Sequence, residues 1–271
     1  MIDARLPPAR IHAFANCGTS HWIMRHKDDP DRFKIVPDHC HDRFCVPCGG
    51  SRQAVIRRNL HVHLRNQPHR FLTLTIRHHD ETLATLLLKL YRGFRRLRQR
   101  TLWRERVRGG VAFLELTYAP DRNSWHPHLH CMLDGDYIDL QDLSRAWLAA
   151  TGDSKSVKIQ YIRDPATVTR YITKYATKPL PASVLRHHAA LVEAIHALNA
   201  RRTVITFGSW RNWRLLSDPE DHGWQLFDHI NAVRIRAHYD DPLAMNILAM
   251  ICTADPHTGE FYVHVQSDHP P

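Results

Sequence analysis

Hydrophobic and polar positions fall into a regular rhythm from Arg70 onward. Phe71 to Ile76 (FLTLTI) is rich in β-branched residues and reads as a strand, with Thr73 and Thr75 sharing one face. Leu83, Leu86, Leu87, Leu90, Phe94 and Leu97 then recur at helical spacing, which predicts a helix from Glu81 to about Arg104 with Asp80 as its cap. Lys89, Arg92, Arg95, Arg96 and Arg100 fill its remaining positions. Val111 to Tyr118 and His126 to Leu133 alternate as two strands around the turn formers Pro120, Asp121 and Asn123, which predicts an antiparallel hairpin. A short helix from about Leu140 to Ala150 stops near Gly152, and a strand follows at Val157 to Ile162. Another helix opens with Asp164 as cap and Pro165 as first residue and closes before Pro179.

The order β-α-β-β-α-β-α contains the split βαββαβ arrangement of ferredoxin-like, RRM-like domains. The expected class is therefore α+β, an antiparallel sheet with helices on one face and the other face free for a site. Composition divides the chain into a cysteine-rich head (1–64), this central domain (65–180) and a C-terminal helical extension (181–271). In the extension a helix from Ala182 to Ala200 precedes an aromatic, basic segment, Arg201 to Arg214. Beyond it the pattern specifies little.

Charge narrows the choice of partner. The chain carries 37 Lys+Arg against 27 Asp+Glu, a formal net charge of +10, which favours polyanions without separating DNA from RNA. With 43% apolar residues the chain can build a sizeable core, which excludes a disordered chain. The first residues lack a signal-peptide pattern, and no apolar run approaches the roughly 18 residues of a membrane span, so a soluble cytoplasmic protein without membrane partners is expected.

The segment Trp125-His126-Pro127-His128-Leu129-His130 places three imidazoles at alternate strand positions, all on one face. A histidine-rich surface strand is the plainer reading of any single one, in a chain with 22 histidines. The partner strand changes the balance, because pairing Glu115 opposite His128 leaves Pro120 to Asn123 as the connection and sets a carboxylate beside two imidazoles. His128, His130 and Glu115 can then hold a divalent cation that polarises a phosphoryl oxygen.

Further on, Tyr171 and Tyr175 are four apart and share a helix face, beside a basic stripe of Arg170, Lys174 and Lys178. Nearby ammonium groups favour the phenolate, the form in which tyrosine is a nucleophile. Two packed tyrosines with a solvated basic edge would show the same spacing.

FLTLT at 71–75, HPHLHCML at 126–133 and YITKYATK at 171–178 resemble, in order, the three motifs of the HUH endonucleases. These are the rolling-circle replication initiators of plasmids and single-stranded DNA phages, with related transposases. The resemblance covers about residues 70 to 180. It implies that His128 and His130 bind Mg²⁺ or Mn²⁺ with Glu115 as third ligand, His126 flanking them. It implies that Tyr175, in a KYxxK context with Lys174 and Lys178, attacks the scissile phosphate of single-stranded DNA at an origin hairpin, leaving a 3′-hydroxyl and a 5′-phosphotyrosine. Tyr171 is the candidate second nucleophile. A transposase of the same chemistry is the alternative, and a non-catalytic zinc-bearing regulator the alternative of another class. No GxxxxGK[ST] loop occurs, so unwinding falls to a separate host helicase.

Cys40-x4-Cys45-x2-Cys48 with Cys17 upstream offers four thiolates, enough for a closed structural Zn²⁺ site, with His21, His39 or His41 as possible substitutes for one thiolate. Some initiators and transposases carry a similar head, CxxRxCxxCxxxR, matched by Cys40, Arg43, Cys45, Cys48 and Arg52. Phe207, Trp210 and Trp213 among Arg201, Arg202, Arg211 and Arg214 would suit base stacking and phosphate contacts, although an aromatic core edged by arginines is the plainer expectation.

Overall fold

A computed structural model describes residues 6–64, 69–78, 80–162, 180, 182–217, 223–256 and 258–263. In chain order the first half runs α1 (Pro8–Ala15), β1 (His21–His26), β2 (Arg32–Pro37), α2 (Val46–His63), β3 (His69–Thr75), α3 (Leu83–Arg98), α4 (Thr101–Arg106), β4 (Val107–Ala119) and β5 (Ser124–Gly135). The second half runs α5 (Leu140–Thr151), β6 (Val157–Ile162), α6 (Ala182–Leu185), α7 (His188–Ala197), β7 (Val204–Gly208), β8 (Trp224–His229), α8 (Ile230–His238), α9 (Pro242–Met250) and β9 (Glu260–Tyr262). Helices and antiparallel sheets together make an α+β chain, in two compact units.

The larger unit takes in residues 49–218 and holds a five-stranded antiparallel sheet, ordered β6-β3-β5-β4-β7. The expected hairpin forms in the expected register. Glu115 stands opposite His128, Ala119 pairs with Ser124, and Asn123 supplies the left-handed residue (φ 45°) that closes the turn. Tyr118 donates its hydroxyl proton to Asn123 Oδ1 at 2.6 Å, fixing that turn from the side.

Alternation divides the sheet residues between two layers. Ala112, Cys131, Ile205 and Phe207 face the layer of α3, where the Phe94 and Phe207 ring centroids lie 5.5 Å apart. On the opposite face Phe71, Val111, Phe113 and Met132 are buried with Ile56 and Leu60 of α2 and with Trp210 and Leu215. The face expected to be free is thus partly covered, because Ile56 and Leu60 of α2 are buried against it.

Several boundaries differ from the expectation. Thr82, not Asp80, caps α3, its Oγ1 accepting from the backbone N–H of Thr85. The helix stops at Arg98 rather than near Arg104, since Arg100 is extended (φ −75°, ψ 147°) and restarts the chain as α4. The break turns Trp103 into the core against Phe94 and Phe207. The single helix expected at Ala182 to Ala200 is two, α6 and α7, separated by an extended His187. By contrast α5 stops at Gly152 (φ 92°), as the pattern implied, and its N-cap is Asp139, whose side chain accepts from the backbone N–H groups of Gln141 and Asp142.

The smaller unit combines residues 7–48 with 219–271, where composition had put cuts near 64 and 180. Its sheet, β8-β1-β2-β9, joins strands from the two ends of the chain. Ile23, Phe33 and Phe261 form its core with Val233 of α8 and with Ala244 and Ile247 of α9. Among the described residues no helix is long and apolar enough to cross a membrane.

Candidate metal and nuclease site

β3, β5 and β4 are adjacent, so Thr73, His130 and Phe113 form one cross-strand row, and Thr75, His128 and Glu115 the next. Both rows point to the face opposite α3. Within them Thr73 Oγ1 lies 3.2 Å from His130 Nδ1 and Thr75 Oγ1 lies 3.1 Å from His128 Nδ1. Each hydroxyl occupies one ring nitrogen and leaves Nε2 for other partners. Trp147 Nε1 donates to the carbonyl oxygen of Thr75 at 2.8 Å, which ties this end of β3 to α5.

Glu115 reaches past its direct partner, and its Oε2 is 2.7 Å from His130 Nε2. His130 is also stacked on Phe71, with centroids 5.5 Å apart and planes 16° from parallel. Burial holds the His128 imidazole below its ordinary pKa, against the opposing pull of the Glu115 carboxylate. Burial, then repulsion by His78 at a centroid distance of 3.9 Å, does the same to His126. Neutral imidazole is the form that ligates a metal.

The donor set suits a hard divalent cation. Cis ligands on bonds of 2.0–2.1 Å stand about 3 Å apart in an octahedron, close to the separation of His130 Nε2 and Glu115 Oε2. The rings of His128 and His130 are 6.3 Å apart, and the trio is not gathered as tightly as the cysteine cluster of the smaller unit. Thr73 and Thr75 went unassigned in the sequence, although their shared face was legible there. Tyr171, Lys174, Tyr175 and Lys178 lie outside the described residues, as does the helix expected to carry them.

Among the described residues, Cys17, Cys40, Cys45 and Cys48 form the group whose donor atoms all lie within 4.8 Å of one another. The Sγ separations are 3.4 Å (Cys17 to Cys45), 3.5 Å (Cys17 to Cys48) and 3.7 Å (Cys40 to Cys48). These are too long for disulfides and near the roughly 3.8 Å edge of a tetrahedron with Zn–S bonds of about 2.3 Å. The backbone N–H of Cys40 points to Cys17 Sγ and lowers the pKa of that thiol, while burial raises those of Cys40 and Cys48. Four thiols at this spacing can bind zinc. His39 is near enough to touch the cluster, its Nδ1 3.6 Å from Cys48 Sγ, whereas the carboxylate of Asp42 is engaged by Arg10 at 2.6 Å.

The aromatic segment resolves towards packing. Phe207 and Trp210 are buried, and Trp213 stacks on Trp210 at 4.0 Å.

Comparison with known proteins adds the family. The chain is 32% identical over 117 residues to "Protein rep" of Bacillus amyloliquefaciens, a match covering 40% of this chain and about a third (34%) of that relative. No solved structure matches. The family profile described as Replication protein matches residues 34–238, which takes in the whole five-stranded sheet together with Cys40, Cys45 and Cys48, but not Cys17. The chain belongs to the replication protein family.

Proposed function

We propose that this replication protein is a rolling-circle initiator that nicks single-stranded DNA at an origin and later rejoins it. The observation that carries the reading is the pairing of Glu115 with the two threonine-held histidines on three adjacent strands. The strand order β6-β3-β5-β4, which follows the split βαββαβ plan, supports placing these residues in an HUH endonuclease domain.

In this reading His128, His130 and Glu115 hold Mg²⁺ or Mn²⁺. A cation held by these residues would supply charge withdrawal from a non-bridging oxygen of the scissile phosphate. Tyr175 loses its phenolic proton, the phenolate oxygen bonds to phosphorus, and the P–O3′ bond breaks. The 3′-oxygen takes up a proton, and the 5′-phosphate remains esterified to tyrosine, so the bond energy is kept for resealing. Lys174 and Lys178 favour the phenolate. Tyr171 serves a second transfer. The four cysteines hold structural Zn²⁺, and strand separation falls to a host helicase.

The test incubates the protein with Mn²⁺ and labelled single-stranded origin DNA, then resolves covalent adduct under denaturing conditions. The adduct is expected in wild type, to be lost in Tyr175→Phe or in the double variant with Tyr171→Phe, and to be strongly reduced in His128→Ala. Undiminished adduct in the double tyrosine variant overturns the nucleophile assignment.

A further inference from the structure

The face of the large sheet away from the histidines carries a basic cavity. It has a volume of about 500 Å³ and is bordered by Tyr91, Arg92, Arg95 and Arg98 of α3 and by Arg201 and Arg202 just before β7. Ile205, which also lines it, is paired with Ala112, itself opposite Cys131, and this row faces α3. His128 and His130 alternate to the other side.

The guanidinium groups of Arg92, Arg95, Arg98 and Arg202 around one cavity repel one another unless an anion joins them. No Asp or Glu lines it, and among the described residues Arg92, Arg95, Arg98 and Arg202 form no ion pair. The fold holds these groups in place nonetheless. The Arg98 guanidinium lies over the rings of Phe94 (4.8 Å) and Phe207 (5.4 Å), and Tyr91 donates its hydroxyl proton to the carbonyl of Arg202 at 2.8 Å. Burial lowers the pKa of Arg98, with Cys131 and Arg211 as lesser influences of opposite sign, so its charge is costly where it stands and gains from a counter-anion.

Spacing selects the kind of anion. Arg92 and Arg98 are six residues apart on α3, roughly 9 Å along its axis. DNA carries one charge per about 3.4 Å of each strand, so an extended polyanion can engage all the α3 arginines where a lone phosphate cannot. Guanidinium groups bind phosphate oxygens in pairs, and an aromatic ring among basic groups suits a sugar-phosphate chain.

We propose that the cavity between α3 and the start of β7 binds the phosphodiester backbone of nucleic acid, a contact on the opposite face of the sheet from the histidine pair. It needs neither the cation nor the tyrosines, so it stands or falls apart from the nickase reading. The experiment measures anisotropy of labelled hairpin duplex and of labelled single strand on the full chain, without divalent cation, from 50 to 300 mM salt. The triple variant Arg92→Gln/Arg95→Gln/Arg202→Gln is compared with wild type and with a control, Arg145→Gln/Arg234→Gln, and inorganic triphosphate serves as competitor.

For whichever DNA form occupies the cavity, the log–log salt slope of the triple variant should be smaller by roughly 2 to 3, near 0.9 per lost phosphate contact. At the lowest salt its affinity should be at least tenfold weaker, while the control keeps the wild-type slope. Equal loss on both forms points to a backbone contact indifferent to strandedness, and loss on one form alone identifies the occupant. Unchanged slopes on both forms, an equal loss in the control, or complete displacement of DNA by equimolar triphosphate would overturn the proposal.

Discussion

Glu115 stands directly opposite His128, yet its carboxylate bonds the imidazole of His130, two residues further along the same strand. The diagonal is open to a long side chain on one face of a sheet, where neighbours at j±2 lie within reach. One carboxylate can therefore serve two imidazoles, adjoining His128 by register and His130 by contact. The residue directly opposite His130 is Phe113, which offers no ligand atom, so Glu115 is the carboxylate available to both rings from this strand.

Replacing Glu115 with Gln keeps the side-chain volume and removes the charge. Calorimetric titration with Mn²⁺ should show affinity weaker by at least ~10- to 100-fold, the range already seen when only an outer partner of a metal ligand is lost. The thermal transition of the metal-free protein should stay close to wild type, because Glu115 is partly exposed. Wild-type Mn²⁺ affinity in Glu115→Gln would remove the carboxylate from the ligand set.

Thr73 and Thr75 make a separate claim, since they would act only by orienting the rings. Thr75→Val removes the hydroxyl from His128 Nδ1 at nearly constant volume, and Thr73→Val does the same for His130. Each change should weaken Mn²⁺ binding by roughly 10- to 100-fold, while Ser at the same position restores most of it. Nitrogen chemical shifts of the two imidazoles report the tautomer directly. If Val leaves those shifts unmoved, the hydroxyls are packing neighbours and nothing more.

How much of this was legible in the sequence depended on whether a pattern was local. The turn at Pro120 to Asn123 and the alternation on either side determined the register of β4 and β5, so Glu115 and His128 could be paired from sequence. The pattern from about Leu140 and the stop at Gly152 likewise located α5. The joining of β1 and β2 with β8 and β9 left no such trace, because those pairings bring together residues about two hundred positions apart with no turn to announce them. Covering of the histidine face by α2 was equally hidden. That helix shows weak amphipathic contrast, and Ile56 and Leu60 became recognisable as core only once the sheet supplied their partner.

Gly208 isolates the role of close backbone approach at the β4–β7 edge. Its φ is +61°, and a Cβ there would lie 2.2 Å from the carbonyl oxygen of Arg108, a backbone atom held in the sheet. Gly208→Ala thus incurs left-handed strain of about 1–2 kcal/mol together with overpacking of about 1–3 kcal/mol. Gly152 also has positive φ, +92°, but nothing lies within 4 Å of its would-be Cβ, so Gly152→Ala incurs strain alone. In thermal melts Gly208→Ala should lie several degrees below Gly152→Ala, at roughly 2–4 °C per kcal/mol for a domain of this size. Equal melting temperatures would mean that the edge strand yields without cost.

Zinc loading of Cys17, Cys40, Cys45 and Cys48 should depend on pH in a defined direction. Burial raises the thiol pKa of Cys40 and Cys48, so without a metal both are protonated at neutral pH. Thiolate is the ligand form, so a metal must displace those protons, and competition grows as pH falls. Purified protein should hold roughly one zinc at pH 8, in keeping with a four-thiolate site. A chelator of constant strength should extract it progressively more easily towards pH 5.5, and Cys45→Ala should hold almost none at any pH. The lowered pKa of Cys17 works the other way, since its proton leaves more readily than those of Cys40 and Cys48, which places it ahead of those two in capturing the ion. Cys17→Ser should accordingly slow zinc uptake by the reduced, metal-free protein more than Cys40→Ser does, as followed by stopped-flow with a zinc indicator. Equal uptake rates would sink the order of capture, and zinc-free protein at pH 8 would sink the site itself.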